Sequence, residues 1–253
     1  MSKPILTRDE FEKLRLTSAA EMCGNHALRQ KALEVKIQAG HEYYWVHQTN
    51  WMGEPCLQLP HDMFALQECI YQCRPDYIVE CGVAWGGTLL FYASLLKLLG
   101  GKKVIGVDIF IPDDLRTRLE AKVPFPGAIE LIAGSSVEAA TASKVEAITG
   151  RGGRTMVILD SHHTHDHVLQ ELRFYAPLVG PGSYLICGDT IIEFQPPADK
   201  RPRPWGKGNN PATALQAFRQ ECTDFEVDTA IENKLLLSNM PGGYLRRKGN
   251  PAS

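Results

Sequence analysis

Between residues 62 and 187 the sequence alternates between short apolar stretches and longer amphipathic stretches. Apolar runs of this length are typical of buried strands, and the amphipathic stretches between them are typical of helices. The repeated alternation predicts a parallel sheet that is covered by helices on both faces, which is an α/β fold. The predicted strands are 77–82, 103–108, 128–132, 155–160 and 183–187, and the predicted helices are 62–73, 87–99, 113–121, 136–148 and 164–176.

The flanking segments follow other patterns. Thr7-Arg-Asp-Glu10 has the form of a capping box, a second helix is predicted near 25–39, and residues 43–60 predict an ordered loop. We therefore divide the chain into a helical extension, 1–60, which would serve as a cap or an oligomer contact, and a catalytic domain, 61–253. The end predicts a loop over 194–211, a helix near 212–221, and strands near 225–228 and 233–239 with a turn at Gly242-Gly243. A doubly wound sheet that ends in a late hairpin resembles the Rossmann-like fold of class I methyltransferases, with seven mostly parallel strands.

The charge and cysteine content exclude several classes of partner. The 27 basic and 29 acidic residues give a formal net charge of −2. A chain of this charge has no overall attraction for nucleic acid or an anionic membrane, so we expect a small molecule as its partner. The seven cysteines include no pair with zinc-ribbon spacing, and no apolar run approaches the length of a membrane span. Because the start also lacks a signal-peptide pattern, we expect a cytoplasmic protein with reduced thiols.

The first predicted strand leads into a glycine-rich turn, in the sequence YIVECGVAWGGTLLF. The ligand crevice of an open parallel sheet lies at the carboxyl ends of its strands, so this turn is expected to border it. Ala84 stands where a dinucleotide-binding motif needs its second glycine, which argues against pyrophosphate binding. The spacing instead resembles the first motif of S-adenosylmethionine-dependent methyltransferases, although a tight turn that needs glycine for packing explains it as well. The resemblance implies that the cofactor-binding residues here are Glu80, Gly82, Trp85, Gly86, Gly87 and Thr88, with the acid near the amino group of the methionine part.

Polar residues also follow the next two predicted strands. Asp108 ends the strand KKVIGVDIF, where a carboxylate can accept hydrogen bonds from both ribose hydroxyls of a nucleoside cofactor. The alternative is that Asp108 caps the following helix. Ser135 and Ser136 follow the third strand, and we expect them to cap the next helix and to offer hydroxyl groups near the adenine.

Residues 158–169, ILDSHHTHDHVL, contain four histidines and two aspartates. The run His163-Thr-His165-Asp166-His167 is one residue short of the HxHxDH spacing that holds two metals in metallo-β-lactamase-type hydrolases, so that type of centre is not expected. Thr164 is a natural N-cap, and Asp166 falls in the first helical turn. We therefore predict that His165 and His167 lie near the end of a helix, close to solvent.

Asp160 and Asp189 follow the fourth and fifth predicted strands, so both are expected at the edge of the cofactor crevice. Two converging carboxylates repel each other unless a proton or a cation lies between them, and Mg²⁺ prefers such oxygen ligands. The sequence Asp160-Ser-His-His163 resembles the Asp-x-x-Lys element of catechol-type O-methyltransferases with histidine in place of lysine. His163 is therefore predicted to take the proton of a metal-bound hydroxyl.

Taken together, the motifs resemble the cephalosporin hydroxylase family, whose members have a methyltransferase fold. The resemblance runs from Trp45 to Arg247 and rests on LPHDMFALQE, ECGVAWGGT, VILDSHHTHDHVLQEL, YAPLVGPGSYL, GDT, PWGKGNNPATA and IENKLLLS. It implies S-adenosylmethionine, Mg²⁺, homo-oligomers and a role in tailoring antibiotics, sugars or other secondary metabolites. Gly188 stands where the family has the first of two adjacent acids, so Thr190 or Glu193 would have to complete the metal site. The resemblance also favours the loop PRPWGKGNNPATAL as a lid with Trp205 as an apolar wall, and Trp45–Trp51, with His47, Thr49 and Asn50, as the opposite wall.

These observations predict an S-adenosylmethionine-dependent and Mg²⁺-dependent O-methyltransferase that acts on a hydroxyl of a small molecule, such as a sugar or an antibiotic precursor. His163 and Asp160 are the predicted catalytic residues, Asp160 also borders the cofactor, and Asp160, Asp189 and Thr190 are the predicted metal ligands. Two alternatives stay open from sequence. One is a metal-dependent hydrolase or oxygenase that uses the histidines of 162–167, and the other is a non-catalytic partner protein that binds the cofactor.

Overall fold

The computed structural model describes residues 6–197 and 202–249, and these form an α/β fold around a mixed sheet. The seven strands of that sheet have the order β5-β4-β3-β6-β7-β9-β8, in which only the pairs made by β9 are antiparallel. This is the predicted doubly wound sheet with a late hairpin. The helices are α1 (Arg8–Gly24), α2 (His26–Tyr43), α3 (Pro60–Cys73), α4 (Gly87–Leu99), α5 (Asp113–Glu120), α6 (Ala139–Thr149), α7 (His165–Tyr175), α8 (Pro211–Glu221) and α9 (Thr229–Glu232), and the strands are β1 (Asn50–Trp51), β2 (Glu54–Pro55), β3 (Tyr77–Cys81), β4 (Lys103–Asp108), β5 (Ile129–Ala133), β6 (Thr155–Leu159), β7 (Tyr184–Cys187), β8 (Phe225–Val227) and β9 (Tyr244–Arg247).

The central strands are almost uniformly apolar because helices cover both faces of the sheet. Successive side chains of a strand point to opposite faces, so Ile78 of β3 packs with α3, α4 and α5 while its neighbour Val79 packs with α6, α7 and α8. The chain runs outward from β3 to β5 and then returns to β6. Strand order therefore reverses beside β3 and β6, which is where an open sheet of this type forms its ligand crevice.

The end of the chain differs from the prediction. Residues 233–239 form no strand, and the last strand of the sheet is Tyr244–Arg247. The reason is that the backbone N–H of Asn239 and the hydroxyl group of Ser238 donate to the buried carboxylate of Asp62, at 2.8 and 2.6 Å. This side chain replaces the partner strand that the apolar pattern of 233–239 suggested. The predicted loop over 194–211 includes residues 198–201, which lie outside the described residues.

The first 60 residues contain more regular structure than predicted. The capping box at Thr7 starts α1 as expected, and the predicted second helix extends to Tyr43. Residues 43–60, predicted as a loop, contain a 3-10 turn, Trp45–Gln48, and the antiparallel pair β1 and β2. Within the described part of the chain, no helix has both the length and the apolar character needed to cross a bilayer.

Candidate functional site

A cavity of about 960 Å³ opens over the carboxyl ends of β3, β4, β6 and β7. Its walls include α2, the segment after it, and the loop around Trp205. The structure brings most of the predicted site residues to this one cavity, namely Glu80, Gly82, Thr88, Asp108, Ser135, Ser136, Asp160, His163 and Asp189. It does not bring the others, Trp85, Gly86, Gly87 and Thr190, to the cavity.

The glycine-rich turn combines close packing with access to the cavity. Gly82 has φ +95°, and a Cβ atom there would overlap the carbonyl oxygen of Asp160. Gly86 packs against Leu115 and Leu119, a Cβ atom at Gly87 would overlap backbone carbonyls of β2, and the side chain of Trp85 is half exposed. Only Gly82 therefore borders the cavity, whereas the other two glycines serve the packing of α4.

Glu80 is buried at the floor of the cavity within β3. Its carboxyl group accepts hydrogen bonds from Thr88 Oγ1 at 2.6 Å and from Tyr92 Oη at 3.1 Å. Burial raises its pKa to about 8, although the two hydroxyl groups oppose this rise. A cationic ligand above Glu80 would favour its ionised form.

Asp108, the last residue of β4, forms hydrogen bonds with the glycine-rich turn. Its Oδ2 accepts the backbone N–H of Val83 at 2.8 Å, and its Oδ1 accepts that of Phe110 at 3.1 Å. The alternative role as a helix cap is wrong, because α5 begins only after Pro112. The carboxylate thus ties the end of β4 to the glycine-rich turn and also lines the cavity.

Asp160, His163 and Asp189 form the cluster best suited to a metal ion. One ligand atom from each lies within 4.8 Å of the others. His163 Nε2 is 3.4 Å from Asp189 Oδ2, and Gln58 Nε2 donates to Asp160 Oδ2 at 2.8 Å. Burial, followed by the charge of Asp189, raises the pKa of Asp160 well above its usual range. A divalent cation fits this donor set, because it would relieve the repulsion between the two carboxylates.

Thr190 and Glu193, which were expected to complete the metal site because Gly188 is not an acid, are engaged elsewhere. Thr190 Oγ1 donates to the carbonyl oxygen of Pro241 at 2.8 Å, and Glu193 accepts from the backbone N–H of Gly208 and from Asn210 Nδ2. The structure therefore does not place Thr190 with the two acids as predicted, and the side chain that joins Asp160 and Asp189 is that of His163. Glycine is required at position 188, since a Cβ atom there would lie 2.8 Å from Asp160 Oδ1.

The histidines separate into two groups. His165 Nδ1 faces Thr213 Oγ1 at 2.9 Å and is away from the cavity, as predicted. His167 lines the cavity instead, where its Nε2 lies 3.0 Å from Ser161 Oγ and 3.2 Å from Ser136 Oγ. Its prediction as a residue close to solvent is wrong, because the buried Glu171, one helical turn later, accepts from both serines and holds His167 over the sheet.

The serines after β5 do not cap a helix. α6 begins at Ala139 with Glu138 at its N-cap, and Ser136 is buried with its hydroxyl group bonded to Glu171 at 2.5 Å. Sequence reasoning missed Glu171 and Gln58. Glu171 looks like an ordinary helix residue, and its bond with Ser136 spans 35 residues, whereas Gln58 lies in a loop 102 residues before Asp160.

The walls of the cavity are partly those predicted. The Trp205 ring lies edge-on to the rings of His162 and His163, at centroid distances of 5.1 and 4.8 Å. On the other side Trp45, Val46 and His47 line the cavity, whereas Thr49, Asn50 and Trp51 do not. Trp51 packs against Phe91 in the core.

Comparison with known proteins agrees with this site. The family model for rhamnosyl O-methyltransferase/CmcI matches residues 43–248. The rhamnosyl O-methyltransferase of Mycobacterium tuberculosis strain H37Rv is 30% identical over 215 residues, which cover 82% of this chain and 83% of that protein. The chain belongs to the rhamnosyl O-methyltransferase/CmcI family.

Solved structures show the same fold. CmcI in a complex with Mg and SAM superposes with a TM-score of 0.54 at 23% identity, covering 79% of this chain and 77% of that one. MycE with Mg, SAH and mycinamycin VI has a TM-score of 0.50 at 16% identity, covering 77% of this chain and 50% of MycE. The predicted family, the cephalosporin hydroxylases, and the predicted class I methyltransferase fold are confirmed.

Membership of the rhamnosyl O-methyltransferase/CmcI family also confirms the enzyme class. The chain is an S-adenosylmethionine-dependent O-methyltransferase that acts on a small molecule. Neither the hydrolase or oxygenase nor the non-catalytic partner protein is favoured by these relatives.

Proposed function

We propose that the cavity binds S-adenosylmethionine beside Mg²⁺ and directs its methyl group to a hydroxyl of a sugar or a secondary metabolite. The observation that carries this proposal is the convergence of Asp160, His163 and Asp189 in a cavity that Glu80 and Asp108 also line. The mycobacterial relatives are named for a rhamnosyl group, and MycE was solved with mycinamycin VI. The first name supports a sugar acceptor, and the second supports a product of a biosynthetic pathway as acceptor.

We assign the donor side of the cavity to three groups of residues. Asp108 faces the ribose hydroxyls, and Glu80 faces the amino group of the methionine part. Ser135, Ser136 and His167 also line the cavity, and we assign them to the edge of the adenine. Gly82 lets the ligand approach the backbone, because no side chain fits at this position.

On the acceptor side, Asp160 and Asp189 would hold Mg²⁺, with His163 and Gln58 adjacent. A bound divalent cation lowers the pKa of a hydroxyl that coordinates it. We propose that the His163 imidazole takes the proton of this hydroxyl, because it faces the cavity next to Asp189. The side chains of Trp205, Trp45 and Val46 would exclude water from the acceptor.

The test of this proposal is calorimetry with S-adenosylhomocysteine, with and without Mg²⁺, followed by a screen of hydroxylated metabolites with a labelled methyl donor. We expect binding that Mg²⁺ strengthens in the wild type, and no turnover in Asp160→Asn. A His163→Ala variant that keeps the wild-type Mg²⁺ affinity but loses turnover supports a base, whereas lost Mg²⁺ affinity makes His163 a ligand only. If S-adenosylhomocysteine binds neither with nor without Mg²⁺, the proposal is contradicted.

We further propose that the extension 1–60 mediates a homo-oligomer. No side chain of α1 is buried in the single chain, and Phe11, Leu14 and Leu16 are half exposed. A 17-residue helix of this kind needs packing partners to be stable. Light scattering of the full chain and of a Leu14→Asp variant tests this, and a monomeric wild type contradicts it.

The cytoplasm remains the proposed location. All seven cysteines are free, and Cys56, Cys69, Cys81 and Cys187 are buried core thiols. This is the usual state of cysteines in a reducing compartment. Fractionation of the producing cell tests it, and recovery from the culture medium contradicts it.

A further inference from the structure

Lys36 of α2 is a largely buried lysine, and none of the roles assigned above uses it. The residue is 7% exposed, and it lines the cavity. Within residues 6–197 and 202–249 no side chain or carbonyl forms a hydrogen bond or a salt bridge with its Nζ. Lysine is rarely buried unless it is paired, because removing an ammonium group from water is costly. The Nζ atom keeps some accessible surface, so this unpaired ammonium group opens on the cavity and is placed to meet a ligand.

The acids that interact with Lys36 at longer range do not satisfy its hydrogen bonds. Asp62 already accepts from Ser238 Oγ, from the backbone N–H of Asn239 and from Tyr244 Oη, all at 2.6–2.8 Å. Asp189 belongs to the cluster with His163 and Asp160. Burial outweighs the attraction of both acids and lowers the pKa of Lys36 to about 8. An anionic ligand would supply the missing acceptors and favour the charged form of Lys36.

The position of Lys36 indicates which ligand this is. Asp62 and Asp189 are the acids that act on it. Asp62 accepts from the backbone N–H of Asn239, whose carbonyl oxygen accepts from Ile191, two residues after Asp189, and Asn239, Ile191 and Asp189 line the cavity with Lys36. Lys36 therefore lies on the side of the cavity near Asp189 of the proposed metal cluster, where the acceptor hydroxyl has to lie. The residue comes from the helical extension, so the extension contributes to the acceptor site.

We propose that Lys36 binds a carboxylate group of the acceptor, so that the enzyme methylates hydroxyls of acidic small molecules such as sugar acids or hydroxylated carboxylic acids. This inference rests on the proposed function, which places the acceptor beside Asp160 and Asp189. Lys36 acts here as a specificity-determining residue. The ammonium is a compact charge with three donors, which suits a carboxylate that approaches from the cavity.

The test uses calorimetry on the protein loaded with S-adenosylhomocysteine and Mg²⁺. Two matched pairs of probes differ in a carboxylate group: 3,4-dihydroxybenzoate against catechol, and D-glucuronate against D-glucose. In the wild type we expect the acid of at least one pair to bind about tenfold or more tightly than its neutral partner. Lys36→Met should abolish this preference, and Lys36→Arg, which keeps the charge, should retain part of it. Equal binding or no binding of all four probes overturns the proposal, as does a preference that survives in Lys36→Met.

The affinity for S-adenosylhomocysteine is the control, because the methionine part of the cofactor also carries a carboxylate. We expect Lys36→Met to leave this affinity within about twofold of the wild-type value. A tenfold loss with an unchanged preference for the acidic probes would assign Lys36 to the cofactor and overturn the proposal. A wild-type protein that does not bind S-adenosylhomocysteine refutes the proposed function, whereas one that binds it without preferring acids refutes only the role of Lys36.

Discussion

Replacing Lys36 by methionine is expected to stabilise the folded protein at neutral pH, because burial of the ammonium group is unfavourable. The pKa of Lys36 falls from the ordinary value of 10.5 to about 8, and this value already includes the attraction of Asp189 and Asp62. Each pKa unit corresponds to about 1.36 kcal/mol. Keeping Lys36 protonated therefore costs the folded state about 3 kcal/mol at pH 7. Methionine has a similar length and no charge, so Lys36→Met should raise the free energy of unfolding by about this amount.

The stability gained by Lys36→Met should become smaller as the pH rises. Below pH 8 both the folded and the unfolded chain hold the proton of Lys36, so the whole cost is present. Between pH 8 and 10.5 the folded chain releases the proton while the unfolded chain still binds it, so the wild type becomes more stable relative to the variant. The advantage of Lys36→Met should therefore be constant up to about pH 7.5, decline above pH 8 and vanish near pH 10.5.

The assay is urea unfolding of wild type and variant at several values between pH 6 and 10.5, without cofactor or metal. Tyrosines and cysteines titrate in the same pH range, but they are identical in the two proteins. Their contributions therefore cancel in the difference between the two unfolding free energies, which is the quantity to compare. Lys36→Arg is the matched control, because arginine stays charged and should lose stability relative to the wild type above pH 8. A Lys36→Met variant that is less stable than the wild type at pH 7, or whose advantage is independent of pH, would refute the reasoning.

Three further outcomes follow from the site and the core. Gly188→Ala places a Cβ atom 2.8 Å from Asp160 Oδ1, so we expect a loss of about 1–3 kcal/mol of stability and weaker Mg²⁺ binding; unchanged melting and Mg²⁺ titrations would contradict it. Because burial raises the pKa of Asp160, Mg²⁺ has to displace a proton, and its affinity should fall as the pH is lowered. Calorimetry in buffers of different ionisation enthalpy should detect the released proton, and identical heats would count against it. Asp62→Ala leaves the donors of Ser238, Asn239 and Tyr244 without an acceptor, so the free energy of unfolding in urea should fall by about 3 kcal/mol, and a fall below about 1 kcal/mol would be inconsistent with this network.

Several elements were predictable because the local pattern and the tertiary structure agree. The strands near 77–82, 103–108, 128–132, 155–160 and 183–187 are apolar on both faces, and each appears with its end shifted by at most two residues. The predicted strand 233–239 failed because its backbone bonds with Asp62, more than 170 residues earlier in the chain. A local pattern carries no information about a partner so far away.

The candidate site likewise has some features that the sequence predicts and others that it does not. Asp108, Asp160 and Asp189 meet over one cavity because each lies at the carboxyl end of a parallel strand, β4, β6 or β7, and these ends lie at the same edge of the sheet. Side-chain direction decides that His167 faces the cavity and that Thr190 does not. Glu171 sets this direction for His167, and the carbonyl oxygen of Pro241 sets it for Thr190. Glu171 lies one helical turn after His167, but the sequence does not indicate that it also accepts from Ser136, and nothing near Thr190 indicates its bond with Pro241.

By itself, the amino-acid sequence determined the α/β class, the edge of the sheet where the site forms and the family, since periodicity and strand-end motifs reflect the backbone over short distances. Only the tertiary structure decided that His163 joins the two acids, that Gly188 makes room for Asp160, and that Lys36 reaches the same cavity from the first 60 residues. The physical reason is that these contacts depend on how distant segments pack, and packing is settled by the whole core at once.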